Sequence, residues 1–158
     1  MKISIKKGLG FGLASGIVTT LGLIVGLNAS THSKQVILGG ILIIAIADSL
    51  SDAFGIHIAE EAGSHQTSKK EIWESTISTF IFELVFALSF IVPILLLSLQ
   101  TAIYVSLIWG LVLLTIFSYY LAKGNKHPAW EVILEHIVLL IVVISITHFV
   151  GIWINGLI

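Results

Sequence analysis

Asp48 and Asp52 stand one helical turn apart inside Gln35 to Ile56, a stretch otherwise suited to the interior of a lipid bilayer. A four-residue step turns about 400°, which leaves the two carboxylates ~40° apart on one helix face. A carboxylate at the centre of a membrane helix costs about 2.5–3.5 kcal/mol on insertion scales. Two such costs on one face point to a charge that is used, and the natural use is the handling of a cation. Glu83, within Phe80-Ile81-Phe82-Glu83-Leu84-Val85-Phe86, repeats the pattern in a second apolar run, and Glu135, beside His136, repeats it in a third. The chain has no arginine, and its lysines fall between or before the apolar runs, so buried salt bridges are hard to build. The acids are therefore expected to face one another or a wet cavity and to form a cation or proton pathway. The plainer alternative is protonated acids that hydrogen-bond neighbouring helices. Ser15 and Ser51 could add hydroxyl ligands to the pathway, although each alone suits helix packing.

A second group of ligand-type residues follows the aspartates. If the helix continues past the membrane, His57, Glu61 and His65 stack at i, i+4 and i+8, with Glu60 beside them. That spacing puts imidazole and carboxylate on one face, as in helical metal sites. Glu71 and Glu74 lie across the loop, where acids also suit a helix N-terminus. These six residues are candidate metal-gathering ligands; the alternative is a solvated, charged helix end.

The elements that must position these residues are transmembrane helices. Of the 158 residues, 56% are hydrophobic and 11% charged, against about 25% charged in a soluble domain. Five apolar runs are long enough to span ~30 Å of hydrocarbon, at about 8–27, 36–60, 74–98, 101–122 and 130–156. The expected fold is all-α, a polytopic membrane protein with five transmembrane helices in a single domain, 1–158. The first run is read as a retained helix and not a cleaved leader. Without cysteine there are neither disulfides nor thiolate ligands, which leaves a metal to carboxylate, imidazole, hydroxyl, thioether or backbone oxygen. No phosphate-binding loop, nucleophile–base pattern or nucleic-acid motif is present, so neither an enzyme nor a nucleic-acid partner is expected. Lys2, Lys6, Lys7, Lys69, Lys70, Lys123 and Lys126 fall on one side of the five helices and Lys34 alone on the other. The positive-inside rule then gives a cytoplasmic N-terminus and an outer C-terminus, N-in/C-out. In the first helix, Gly8, Gly12 and Gly16 keep the small-xxx-small spacing of close helix contacts, whether within the chain, in a dimer or along an ion path.

The arrangement resembles the vacuolar iron transporter family of iron and manganese carriers. The resemblance covers almost the whole chain. It is carried by Gly12-Leu13-Ala14-Ser15-Gly16-Ile17-Val18-Thr19-Thr20 through Gly26-Leu27, and by Ala47-Asp48-Ser49-Leu50-Ser51-Asp52-Ala53-Phe54-Gly55. Phe90-Ile91-Val92-Pro93-Ile94 and Tyr119-Tyr120-Leu121-Ala122-Lys123-Gly124 add to it. It implies a homodimer that moves Fe²⁺ or Mn²⁺ out of the cytoplasm, often in exchange for protons. Three positions depart from the family: its helix 1 acid falls on Ser15, its helix 2 glutamate on Ile44 and a helix 2 methionine on Asp52. Its metal-collecting insert between helices 2 and 3 is reduced here to His57, Glu60, Glu61, His65, Glu71 and Glu74. Asp48, Asp52 and Glu83 would then make a harder, oxygen-rich site, suited to Mn²⁺, Fe²⁺ or even Mg²⁺ and Ca²⁺.

The expected function is divalent transition-metal export through Asp52, Asp48 and Glu83, with Glu135 binding metal or carrying a coupling proton. The expected setting is a multi-pass protein of a prokaryotic-type cell membrane, and the partners are the metal ion, the bilayer and a second copy of the chain. The alternative from another class is a non-transporting membrane metal sensor or assembly subunit with a structural ion. The lysine bias predicts that cysteines introduced at Ser64 and Asn125 react with an impermeant thiol reagent only after the membrane is opened. Labelling of either in intact cells would reverse the orientation.

Overall fold

Both prolines of the chain stand where a helix breaks or begins. Pro128 is the N-cap of the last helix, and Pro93 follows a break in the third apolar run. The computed structural model describes residues 2–63, 67–123 and 128–157. Its elements are α1 (Ile3–Thr31), α2 (Lys34–Gly63), α3 (Lys69–Ser89), α4 (Ile91–Leu96), α5 (Leu99–Ala122) and α6 (Ala129–Asn155). Among the described residues all regular structure is helical, and α3 with α4 forms one span, Lys69–Leu96. Five helices are thus long and apolar enough to cross a membrane.

The helices begin earlier or end later than the apolar runs alone indicate. Lysine and glutamate are good helix formers, so the helix continues where hydropathy stops. Thus α1 takes in Lys6 and Lys7, and α2 takes in Glu60 and Glu61. Ser68 starts α3 with a capping box: its hydroxyl accepts from the Glu71 backbone N–H, and the Glu71 carboxylate accepts from the Ser68 backbone N–H. His32 ends α1 at φ 51°, the left-handed position that usually holds glycine, and its N–H donates to the Asn28 carbonyl. The break at Phe90 has a local cause. Pro93 has no N–H to give the Ser89 carbonyl and its ring crowds that carbonyl; the chain tightens, with Phe90 N–H donating to Ala87 at 3.2 Å. The C-terminal carbonyls of the resulting short helix are met by Lys34, whose Nζ lies 3.1 Å from Leu95 O and 3.0 Å from Leu97 O. The lone lysine of its side therefore acts as a C-cap for α4.

Packing centres on α1, the most buried span, which touches α2, α3, α5 and α6. The closest seam is with α3. Both helices start at the lysine-rich end, and a Cβ added at Gly12 would stand 2.6 Å from Thr79 O and 2.9 Å from Glu83 N. At Gly16 it would stand 2.9 Å from Glu83 O. The small-xxx-small stripe is therefore consumed inside the chain, where it brings the α1 backbone onto α3. Ile17, Leu21, Ile24, Ile37, Ile41, Phe90, Ile94, Leu114 and Leu140 fill the core, all but sealed from the surface. The outer faces stay apolar: Ile43, Ile46, Leu50 and Phe54 of α2 and Ile146, Phe149 and Trp153 of α6 are exposed. Such a belt on every side is what a bilayer covers and water does not.

Gly12→Ala should therefore destabilise the protein by about 1–3 kcal/mol, the usual cost of overpacking. Gly39, with nothing within 4 Å of an added Cβ, should accept alanine with a gain of up to about 1 kcal/mol from helix propensity. Thermal unfolding of the two variants in detergent measures both.

Candidate metal centre

The α1–α3 seam decides where Glu83 goes. Glu83 follows Ser75 and Thr79 on the stripe of α3 that meets the α1 glycines, so its side chain is confined beside Gly12 and Gly16. It is 1% exposed and sits at the middle of the 28-residue span Lys69–Leu96. Asp48 is at the middle of the 30-residue α2, and Asp52 is one turn nearer the lysine-rich end. Because α2 packs on both α1 and α3, its acidic face meets Glu83. One carboxylate oxygen from each of Asp48, Asp52 and Glu83 lies within 4.8 Å of the others.

Little else satisfies these oxygens. Both carboxylate oxygens of Glu83 and Oδ2 of Asp48 are buried with no amine, imidazole, hydroxyl or backbone N–H donating to them among the described residues, and the Asp52 carboxyl stands against Glu83. Ser15 is brought beside Glu83, yet its hydroxyl does not reach Glu83 in hydrogen-bonding geometry. Ser49, between the aspartates, spends its proton on the Ala45 carbonyl. The ion pairs formed by the described lysines and histidines involve Glu60, Glu61 and Glu74 and none of the three acids. An unsatisfied buried carboxylate is among the costliest features a fold can carry, and here one stands against two more acids.

The donor set fits a hard cation. A Ca²⁺-sized ion, 2.3–2.6 Å from each ligand, spans up to about 4.6–5.2 Å between opposite oxygens. Among the described residues, no sulfur or imidazole belongs to the group.

The other candidate residues are placed differently. Ser51 is exposed, about 100° around the helix from Asp52. Glu135 is exposed on α6, a helix that packs on α1 and α5, and it does not belong to the acidic group. Its neighbour His136 turns inward instead, with Nδ1 2.7 Å from the buried Ser118 hydroxyl. Ser118 donates its own proton to Leu114 O at 2.6 Å, so His136 donates to Ser118 through Nδ1–H.

At the lysine-rich end, the five described gathering residues do not converge on one point. His65 lies outside the described residues. Glu71 is spent on the cap of α3. Glu60 accepts from Lys7 at 2.8 Å, and Glu74 accepts from Lys2 at 2.5 Å and from the Ser4 hydroxyl at 2.8 Å. His57 and Glu61 remain together. Thr76 gives its proton to Ile72 O at 2.8 Å and so accepts from His57 Nδ1 at 2.9 Å. Nδ1 therefore carries a proton, and Nε2 faces Glu61 Oε1 at 3.6 Å. The edge of Trp73, with ring centroids 4.8 Å apart, holds the imidazole in place. With Nε2 unprotonated, this pair offers a cation two lone pairs on one helix face.

Sequence spacing brings Asp48 and Asp52 together, but it carries no sign of the Lys7–Glu60 and Lys2–Glu74 pairs, which join residues 53 and 72 positions apart. The N-terminal run of lysines and the acids at the two facing helix ends were the available signal. No protein-family model matches the chain, and no curated protein matches it.

Proposed function

We propose that the protein is a divalent-cation transporter whose central ion site is Asp48, Asp52 and Glu83. The observation that carries this reading is Glu83: 1% exposed at mid-span, with no cationic or hydroxyl partner for its carboxylate oxygens among the described residues and two aspartates beside it. A cation among the three removes the repulsion and replaces the missing hydrogen bonds at once. Mid-span placement is where transporters hold substrates, since it is equally far from both sides.

On this reading Mn²⁺ or Fe²⁺ is the cargo, and the all-oxygen donor set leans toward the harder Mn²⁺. The lysine bias sets the orientation, N-in/C-out, and the family resemblance makes the direction export from the cytoplasm. His57 and Glu61 offer the ion its first ligands, and Ser15 lends an oxygen at the centre. A homodimer follows from the family resemblance; the exposed apolar faces of α2 and α6 leave room for it. The tight fit of Gly12 and Gly16 on Glu83 favours one other reading, a fixed structural ion in a membrane sensor or assembly subunit.

Flux and stability separate the two. Asn at Asp48 or Asp52 keeps shape and removes charge, so the ion loses stabilisation comparable to the ~2.5–3.5 kcal/mol that a central carboxylate costs. Divalent-cation flux into proteoliposomes should fall about 100-fold in each variant, while thermal unfolding without metal is unchanged or shifts upward. Normal flux in both variants would sink the transport reading. Lost flux together with a large loss of stability would favour the structural ion.

A further inference from the structure

Three lysines at the lysine-rich end are spent inside the chain: Lys2 on Glu74, Lys7 on Glu60, and Lys6 at 5.8 Å from the ring centroid of Tyr120. Lys69 and Lys70 open α3, are exposed and form no ion pair among the described residues. Lys70, and not Lys69, heads a groove of about 380 Å³ between the first turns of α1 and α3, formed with Ile5 of α1 and with Trp73, Ile77, Ile81 and Phe82 of α3. Below Lys70 its walls are almost wholly apolar. Two further polar residues line it, and both are engaged elsewhere. Glu74 accepts from Lys2 and from the Ser4 hydroxyl, and Ser78 donates to the carbonyls of Glu74 and Ser75. The charge left over among the described residues is that of Lys70, at one end of the groove.

We propose that this groove binds an anionic phospholipid of the leaflet on the lysine-rich side, with its phosphate at Lys70 and an acyl chain along Ile77, Ile81 and Phe82. The length fits. Lys70 to Phe82 covers ~18 Å of helix, about one leaflet of a ~30 Å hydrocarbon core with its interface. The order of polarity fits as well, with a cation at the helix end and apolar walls running toward mid-span, where the groove stops one residue short of Glu83. Trp73, one turn along from Lys70, is exposed, and an indole at that level suits the boundary between headgroups and hydrocarbon. A free anion would use the lysine and leave the apolar walls bare. A lipid without net charge would cover the walls and leave the lysine without a counter-charge. An anionic phospholipid uses both, and one basic residue near an anionic membrane surface adds about fivefold to binding. Seated there, the lipid packs on Ile5 and on the α3 ridge together, beside the contact of Gly8 with Ser78. It thereby helps to hold the first turns of α1 on α3. The proposal needs the bilayer and the groove, and it does not rest on the transport reading.

Trp73 is itself the reporter. With Trp109, Trp130 and Trp153 replaced by phenylalanine, quenching of Trp73 by phospholipids with brominated acyl chains reads occupancy of the groove in mixed vesicles. Brominated phosphatidylglycerol should quench at about fivefold lower mole fraction than brominated phosphatidylcholine. Lys70→Gln should abolish that preference and Lys70→Arg should keep it. Lys69→Gln, on the same helix but outside the groove, should leave it unchanged, as should inorganic phosphate at constant ionic strength. Native mass spectrometry of protein with all four tryptophans should show phosphatidylglycerol retained in the same order across the lysine variants, without the need for the triple replacement to fold. Equal quenching by the two lipids would overturn the proposal. So would equal losses in Lys69→Gln and Lys70→Gln, the mark of diffuse surface charge, or loss of the preference in phosphate, the mark of a simple anion site. Each of these results leaves the transport reading to its own flux test.

Discussion

Everything in this fold is arranged around one carboxylate that has nowhere else to go. Glu83 sits at the middle of its span, sealed by the backbone of α1, and among the described residues no cation or hydroxyl meets its oxygens, only the carboxyl of Asp52. In low dielectric its charge is felt strongly by its neighbours, and those neighbours are Asp48 and Asp52. The glycine stripe of α1 produces this confinement. A residue with a side chain at Gly12 or Gly16 would hold α1 off α3 and open the space around Glu83. The tight seam and the acidic group are thus one feature: the first confines Glu83, and the second sets two further carboxylates against it.

The polar chemistry is distributed along the bundle in a consistent way. At mid-depth three acids lack counter-charges, and at the lysine-rich end Glu60 and Glu74 have them from Lys7 and Lys2. At the opposite end Lys34 is turned to backbone carbonyls and away from acids. Positive charge is thus used where helices end and withheld where the spans are deepest. On the proposed reading, that gradient leaves the uncompensated carboxylates at mid-depth as the place where an ion is held.

Much of this was legible in the sequence because membrane insertion imposes simple rules. Long apolar runs must be helices, since every backbone group in lipid needs an internal partner, and a period of 3.6 places Asp48 and Asp52 on one face. Lysine-free spans also indicated that the central acids have no salt-bridge partners. What was not legible depends on rotation about helix axes, which apolar runs do not encode when nearly every face is apolar. Glu135 and His136 are adjacent in sequence, yet His136 is the one that turns to α5. Ser15 and Ser51 are alike in type, yet Ser15 is brought beside Glu83 and Ser51 faces outward. The gathering cluster was drawn as a straight i, i+4, i+8 face, which sees one helix only. Glu60 is taken by Lys7 of a different helix, and this leaves His57 and Glu61 as a pair.

The central claim is that Asp48, Asp52 and Glu83 hold one divalent cation. Equilibrium binding of Mn²⁺ to the purified protein in detergent, followed by the loss of the free-ion electron paramagnetic resonance signal, tests it directly against Glu83→Gln. The glutamine keeps the shape of the side chain and its place beneath Gly12 and Gly16, and it removes the charge. The account predicts one tightly held Mn²⁺ per chain that disappears in Glu83→Gln and persists when His57 is replaced by alanine. Equal tight binding by Glu83→Gln and the unaltered protein would contradict it.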